Sequence, residues 1–469
     1  MKMDNNKEIE LKLLVTKANL KKFLALDYVA PHIRPDSKTT KTLITTYYDT
    51  EDMNFKAHCL AYRVRDKGDG TYEATVKAGT KSMGGLSERT ELNLPLTSNT
   101  PVLEGFLALG LPYELTELAP NGVKPLFTVK VERTTYMLDL GGAVVELAID
   151  KGRITAGRAK DQIDEIELEL VDGDIRILLA FIARAAGDIP LFAEKRSKYL
   201  RGLALLGMSV TPVEILPPMS RGPAREAMID LVEFHGDILL ELQNELNKGA
   251  LTDDLSKQLR RRLLFMRTCA SMVHALTGAP WAEKKLFDKA LGAAERVRSL
   301  RRLQQIWTNL ALAGERFLGR STMARRLATL SIEADEAVHR LTAAGTFTAI
   351  YYGLLRWLYC TEWTRDGSSA ELAAKNCVRI WQNEKNAAPN LADVEALTQN
   401  ILLLSRSMKG KFFAKAIESA KKGRRRLHKR VVAERWQHIL AEIAASTTSK
   451  AVHRDVGFIL GWLVARRGI

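Results

Sequence analysis

Cysteine is scarce: Cys59, Cys269, Cys360 and Cys377 are the four in 469 residues, far apart and without a CxxC pair. That excludes a disulfide framework or a thiolate zinc site, and predicts buried, reduced thiols in a cytoplasmic protein. Long apolar runs are missing too. Residues 1–7 contain no apolar h-region, so no secretory signal is expected. No stretch approaches the roughly 18 apolar residues of a transmembrane helix, and no membrane partner is expected. Tryptophan is absent before Trp281, and after Pro223 only Pro280 and Pro389 remain of 14 prolines. Two compositions in one chain of this length predict at least two domains.

Charge divides the chain the same way. Residues 1–210 hold 29 Lys+Arg and 29 Asp+Glu, a net of zero, so the whole formal charge of +15 lies in the remainder. The basic part predicts a polyanionic partner. Residues 211–223 contain four prolines and can neither continue a helix nor pair as a central strand, so they are expected to form a linker between domains at 1–210 and 224–469.

Before that joint, period-two patterns predict strands over 7–15, 42–48, 60–65, 71–77, 88–94, 126–133, 144–150 and 163–171, with short helices near 17–25 and 175–186. The expectation is an eight-stranded antiparallel barrel in an α+β domain. After the joint, i, i+3, i+4 spacing over 225–246, 255–276, 281–318, 321–344 and 434–444 predicts an all-α domain of about ten helices in bundles.

The strands carry an unusual polar face. In Glu8-Ile9-Glu10-Leu11-Lys12, the charged residues share one side and the apolar ones the other. Alone, this also describes a half-exposed strand. The pattern recurs, however, with Arg63 and Arg65, with Glu73, Thr75 and Lys77, with Arg89 and Glu91, with Glu146 and Asp150, and with Glu165, Glu167 and Glu169. A charged barrel interior, its apolar outer face covered by helices, requires such a set. Arg63, Arg65, Lys77, Arg89 and Arg133 suit phosphate oxygens. Carboxylates in the same cavity suit Mg²⁺ or Mn²⁺ between themselves and the anion, one ion on the phosphate chain and another lowering the pKa of a water. His32 and His58 lie in loop-like sequence and are not expected to act in catalysis.

These motifs resemble the CYTH superfamily, the triphosphate tunnel metalloenzymes. The similarity runs from the ExExK of Glu8–Lys12 through Tyr47-Tyr48-Asp49-Thr50, Tyr62–Arg65, Thr75–Lys77, 84–91, Glu165–Glu169 and 197–202. The resemblance implies metal ligands among Glu8, Glu10, Glu91, Glu146, Asp150, Glu165, Glu167 and Glu169. It implies phosphate binding by Lys12, Arg63, Arg65, Lys77, Arg89, Arg133 and Lys198, with Glu8, Glu10, Lys12, Arg63, Arg65 and Lys77 at the catalytic centre. The implied activity is an inorganic triphosphatase cleaving tripolyphosphate to pyrophosphate and phosphate. Competing readings are an adenylate cyclase or a thiamine triphosphatase on the same tunnel, or an inactive tunnel in a polyphosphate- or nucleic-acid-binding protein.

The basic half resembles a CHAD domain, a helical module that follows CYTH in bacterial inorganic triphosphatases and binds polyphosphate. The resemblance implies a polyphosphate site among Lys257, Arg260, Arg267, Arg296, Arg298, His428 and Arg430. The sequence departs from the histidine pattern of that family, since 255–267 contains no histidine while 423–430 keeps His428. The basic helices can also be read as solvated faces, and the tryptophans as interhelix packing.

Overall fold

A computed structural model describes residues 7–83, 86–208, 222–312, 320–363, 369–422 and 424–467. The chain forms two compact units, 1–215 and 216–469. The greater part of the expected linker lies outside the described residues.

In the first unit, eight strands run β1 (Lys7–Leu14), β2 (Thr39–Asp49), β3 (Leu60–Asp66), β4 (Tyr72–Met83), β5 (Leu86–Leu96), β6 (Lys124–Asp139), β7 (Ala143–Ala156) and β8 (Ala159–Gly173). They pair antiparallel in the order β5-β4-β3-β2-β6-β7-β8-β1, and β1 returns to β5, so the sheet closes into a barrel. A two-residue strand, β9 (Phe192–Ala193), adds to the end of β1. Every expected strand is present. Most are longer than the period-two segments because the ladder continues past the strictly alternating residues.

Closure decides where each side chain goes. Leu11 and Leu13 face outward and are fully buried, as are Leu147, Ile166 and Leu168. Helix α1 (Lys17–Leu24) and helix α4 (Ile175–Asp188) supply outer cover, α4 against β7 and joined to α1 by an edge-to-face contact of Phe23 on Phe181. Over β3 to β5 the cover comes from α2 (Asn54–Ala57), α3 (Leu115–Leu118) and irregular chain carrying Phe106 and Leu111. Thus helices alone do not cover the barrel. At 25 cal/mol per Å² of apolar area, each such buried Leu or Phe contributes roughly 1.5–3 kcal/mol.

One end of the barrel is plugged from within. Helix α5 (Lys198–Leu205) starts at Ser197, whose hydroxyl accepts the Leu200 amide, and packs Leu203 among Leu43, Phe127, Val129 and Ile163. Gly202 makes this entry possible, because a Cβ there would lie 2.2 Å from the Phe127 ring.

The second unit contains ten helices among the described residues: α6 (Ala224–Leu246), α7 (Asp253–Thr277), α8 (Lys284–Leu312), α9 (Arg320–Ala343), α10 (Thr346–Cys360), α11 (Ala370–Ala387), α12 (Leu391–Arg406), α13 (Lys411–Lys421), α14 (Arg424–Ala445) and α15 (Lys450–Arg467). Sequential neighbours pack on one another, notably α6 with α7, α8 with α9 and α11 with α12. Trp307, Trp357, Trp363, Trp381 and Trp436 are buried between helices, so they pack the bundle instead of offering stacking faces. The thiols depart from expectation: Cys269 and Cys377 are buried, but Cys59 and Cys360 are exposed. Cys59 falls in the turn after α2 with φ 58°, and Cys360 is the last residue of α10, positions that face solvent. No helix among the described residues is long and apolar enough to cross a membrane.

Candidate active site in the barrel

The charged face points inward and is closed off from solvent. Glu10, Lys12, Arg63, Glu167 and Lys198 are each less than 10% exposed, Glu165 is 1% exposed and Asp150 is fully buried. A solvated outer face would leave these groups open, so the burial decides between the two readings of the alternation. Ladder register sets their order along the tunnel. Glu10 pairs with Glu169, Lys12 with Glu167 and Leu14 with Glu165 across β1 and β8, while Glu146 pairs with Glu169 and Asp150 with Glu165 across β7 and β8.

Buried charges need partners, and most have them. Lys12 lies 3.3 Å from Glu10 and 3.1 Å from Glu167. Burial opposes its charge, but Glu10 and Glu167 outweigh burial and hold the ammonium above the ordinary lysine range. Arg133 grips Asp150 through two bonds of 2.7 and 2.6 Å and also contacts Glu167. Lys77 lies 2.9 Å from Glu8 and contacts Glu91, which also pairs with Arg63 at 3.3 Å. Arg89 joins Glu8 at 2.7 Å and contacts Glu10.

Helix α5 delivers two further cations. Lys198 Nζ sits 2.7, 2.5 and 2.9 Å from Asp150, Glu165 and Glu167. Arg201 reaches Glu165 at 3.0 Å and Asp161 at 2.7 Å. Arg201 was not a candidate in the sequence, although it stands one turn after Lys198 in the same motif.

Two imbalances remain. Glu146 and Glu169, adjacent in register, take part in no ion pair or hydrogen bond among the described residues. Burial, followed by the charges of Glu8, Glu146, Glu91 and Glu10, pushes the Glu169 carboxyl up to about 7. Burial also raises Glu146, with Glu167 and Asp150 adding to it against the pull of Arg133. On the cationic side, Arg65 has a single hydrogen bond among the described residues, from Nε to the Thr45 hydroxyl at 3.1 Å. Burial, helped by Arg63 and Arg133, pushes its guanidinium down to about 10.

These imbalances locate where foreign charge fits. The oxygens of Asp150, Glu165 and Glu167 all lie within 4.8 Å of one another, a spacing suited to a hard cation. That triad, however, already surrounds the Lys198 ammonium. Glu146 and Glu169, beside Glu8 and Glu10, are the oxygen donors whose charge is uncompensated, and they fit a divalent ion without displacing a protein cation. Arg65, with Arg63 beside it, fits an anion. His32 is half-buried and His58 exposed, their ring nitrogens bonded to the carbonyls of Asp139 and Asn54, and they take no part in the tunnel.

In the helical unit, one cavity of about 100 Å³ collects Lys257 and Arg260 from α7, Glu295, Arg298, Ser299 and Arg302 from α8, and His428, Val432 and Arg435 from α14. Glu295 bridges Arg260 at 2.8 Å and Arg435 at 2.5 Å, and His428 Nδ1 lies 2.5 Å from the buried Glu395. Of the expected polyphosphate residues, Lys257, Arg260, Arg298 and His428 meet there. Arg267 instead bonds Gln399 at 3.0 Å, Arg296 pairs with Glu442 at 2.8 Å, and Arg430 is exposed. Arg302 and Arg435 were not singled out as ligands in the sequence. Their phase on α8 and α14, three to four residues from Arg298 and from Val432, is the available signal.

Comparison with known proteins bears on the first unit. A Hippeastrum protein, described as having a dominant triphosphatase activity, aligns at 19% identity over 44% of this chain and 98% of its own, with a TM-score of 0.31. A Pyrococcus horikoshii OT3 protein aligns at 19% identity over 43% and 99%, with a TM-score of 0.28. An inorganic triphosphatase of Haemophilus influenzae is 29% identical over 201 residues, 42% of this chain, so the chain matches about half, 54%, of that relative's length. Residues 6–188, nearly the whole barrel and its outer helices, match the family model of the CYTH domain.

Proposed function

We propose that the barrel is the active site of a metal-dependent inorganic triphosphatase that cleaves tripolyphosphate to pyrophosphate and phosphate. The observation that carries this reading is a buried interior of both signs in which Glu146 and Glu169 lack cations and Arg65 lacks an anion. A phosphate chain with a divalent cation supplies both missing charges at once. The CYTH match and the triphosphatase relative support the same reading.

In this mechanism Arg63 and Arg65 hold phosphate oxygens, bidentate geometry fixing the chain along the tunnel. Glu8, Glu10, Glu146 and Glu169 hold Mg²⁺ or Mn²⁺, which when bound neutralises phosphate charge and supplies a water of lowered pKa. Lys198, Lys12 and Arg133 keep Glu167 and Asp150 ionised, and Lys198 holds Glu165 in place. Lys77 and Arg89 hold Glu8 in place, and can turn to substrate when a cation takes over that carboxylate.

For the helical unit, we propose a CHAD-like role: polyphosphate binding at the cavity of Lys257, Arg260, Arg298, Arg302 and Arg435. The deciding experiment for the enzyme measures phosphate release from tripolyphosphate, ATP and thiamine triphosphate, each with and without Mg²⁺ or Mn²⁺. The reading expects release from tripolyphosphate above the other two, and only with metal. Preferential cleavage of ATP or thiamine triphosphate would overturn it.

A further inference from the structure

Tyr47 is an uncharged side chain facing the cationic part of the tunnel, and no residue role yet includes it. It lies directly opposite Arg63 in the β2–β3 ladder and is 5% exposed. Its ring is held on two sides, stacked on Phe127 at 4.9 Å and 27° and tilted against Tyr199 of α5 at 5.5 Å and 34°. The hydroxyl therefore has little freedom.

The hydrogen-bond inventory around it is unbalanced. Arg63, Lys77 and Arg65 are the charged neighbours of the hydroxyl. Guanidinium and ammonium groups only donate, so towards them the phenolic oxygen can only accept and the phenolic proton remains to be placed. Among the described residues no acceptor takes it. Arg63 Nε is likewise buried without a partner, and Arg65 uses one bond, to Thr45. Several donors thus converge where the protein supplies few acceptors, and a buried unmet donor costs free energy until a ligand satisfies it.

We infer that the Tyr47 hydroxyl is a substrate-binding group, donating its proton to a nonbridging phosphate oxygen of a triphosphate held by Arg63 and Arg65. The inference rests on the proposed triphosphate site. Burial alone would raise the phenol, and the three cations outweigh it and lower it. A bound polyanion cancels that field, so the proton stays on Tyr47 and serves as a donor. A phenol adds direction to this contact without adding charge, and its clamped ring fixes where the phosphate oxygen sits.

The test is Tyr47→Phe in the full chain, which keeps the stacked ring and removes only the hydroxyl. Loss of one hydrogen bond to a charged group predicts a fall of about 10- to 100-fold in kcat/KM for tripolyphosphate, mainly through KM, with an unchanged melting temperature. Calorimetric binding of tripolyphosphate should weaken by the same factor. Unchanged kcat/KM overturns the inference, as does a loss that tracks a lowered melting temperature. Wild-type protein that releases no phosphate from tripolyphosphate would sink the functional reading by itself. Binding then still judges Tyr47: equal affinities in the two proteins, or none in either, overturn it.

Discussion

Both units gather charge, but they do so by different physics. In the barrel, adjacent strands impose a register, and most inward charges meet an opposite one on the next strand: Lys77 beside Glu91, Arg133 beside Asp150, Lys12 beside Glu167. The result is a largely buried, interlocked lattice. In the helical unit, cations from three helices meet at one cavity, and several of their partners stay in water, as with Asp253, 54% exposed beside Lys257 and Arg298. Charge is costly to remove from the first arrangement and easily screened in the second. The barrel is suited to hold a transition state, the cavity to hold an exchangeable polyanion.

The largest expected effect tests the interlocked side. Excess chelator should abolish phosphate release, because no protein cation takes the place of the missing charge at Glu146 and Glu169. Glu10→Gln should lower kcat by about 10² or more, the scale of one transition-state electrostatic contact. It also strips Lys12 and Arg89 of a shared partner, so the melting temperature should fall. Turnover near wild type would show that Glu10 only braces the barrel.

The screened side should respond to salt instead. Residues 216–469 fall in a separate compact unit, and the full chain is compared with its Arg298→Ala variant for long-chain polyphosphate binding. Affinity should drop roughly 10²-fold between low and physiological salt as condensed counterions compete with Lys and Arg. Arg298→Ala should weaken binding about tenfold at low salt and flatten the slope by about one charge. Duplex DNA displacing polyphosphate at physiological salt would make this unit a nucleic-acid module.

How much of this was readable beforehand follows the same divide. Strand phase is local, so Glu8, Glu10 and Lys12 announced their shared face within five residues, and recurrence across the other strands made a charged interior the economical reading. The plug was not readable. Ser197–Gly202 shows a cap and a short helix, but only the closed barrel shows that Lys198 enters the acidic triad and that Gly202 clears Phe127. The cavity was half readable for a similar reason. Helical period groups Arg298 with Arg302, yet nothing local says that Arg435, far along the chain, completes them while Arg296, two residues before Arg298, turns away.

A smaller effect sharpens the account of the tunnel. Glu169 is raised from 4.5 to about 7 in the folded chain, so between those values the native state binds more protons than the unfolded one. Its contribution to stability therefore declines as pH rises through that window, and above it the folded state carries an uncompensated carboxylate. Metal-free Glu169→Gln should melt higher than wild type above about pH 7 and match it near pH 4.5. Added Mg²⁺ or Mn²⁺ should stabilise wild type more than the variant. Identical melting curves across the window would place compensating charge beside Glu169 that the ladder does not supply.

The smallest effect is expected at Arg296, and it separates position from charge. Arg296 lies on the same helix as Arg298, but its guanidinium faces Glu442, with 39% and 46% of the two side chains exposed. An exposed pair of this kind is worth about 0–1 kcal/mol. If polyphosphate recognises the cavity, Arg296→Ala should leave affinity at physiological salt within about twofold, since a screened charge outside the site adds little. If the helical unit attracts polyanions only through its net charge, Arg296→Ala and Arg298→Ala should weaken binding equally. Measured side by side on full-length protein, the two variants carry the same change in charge and differ only in where it is lost. Equal losses would dissolve the cavity as a site and leave a basic surface.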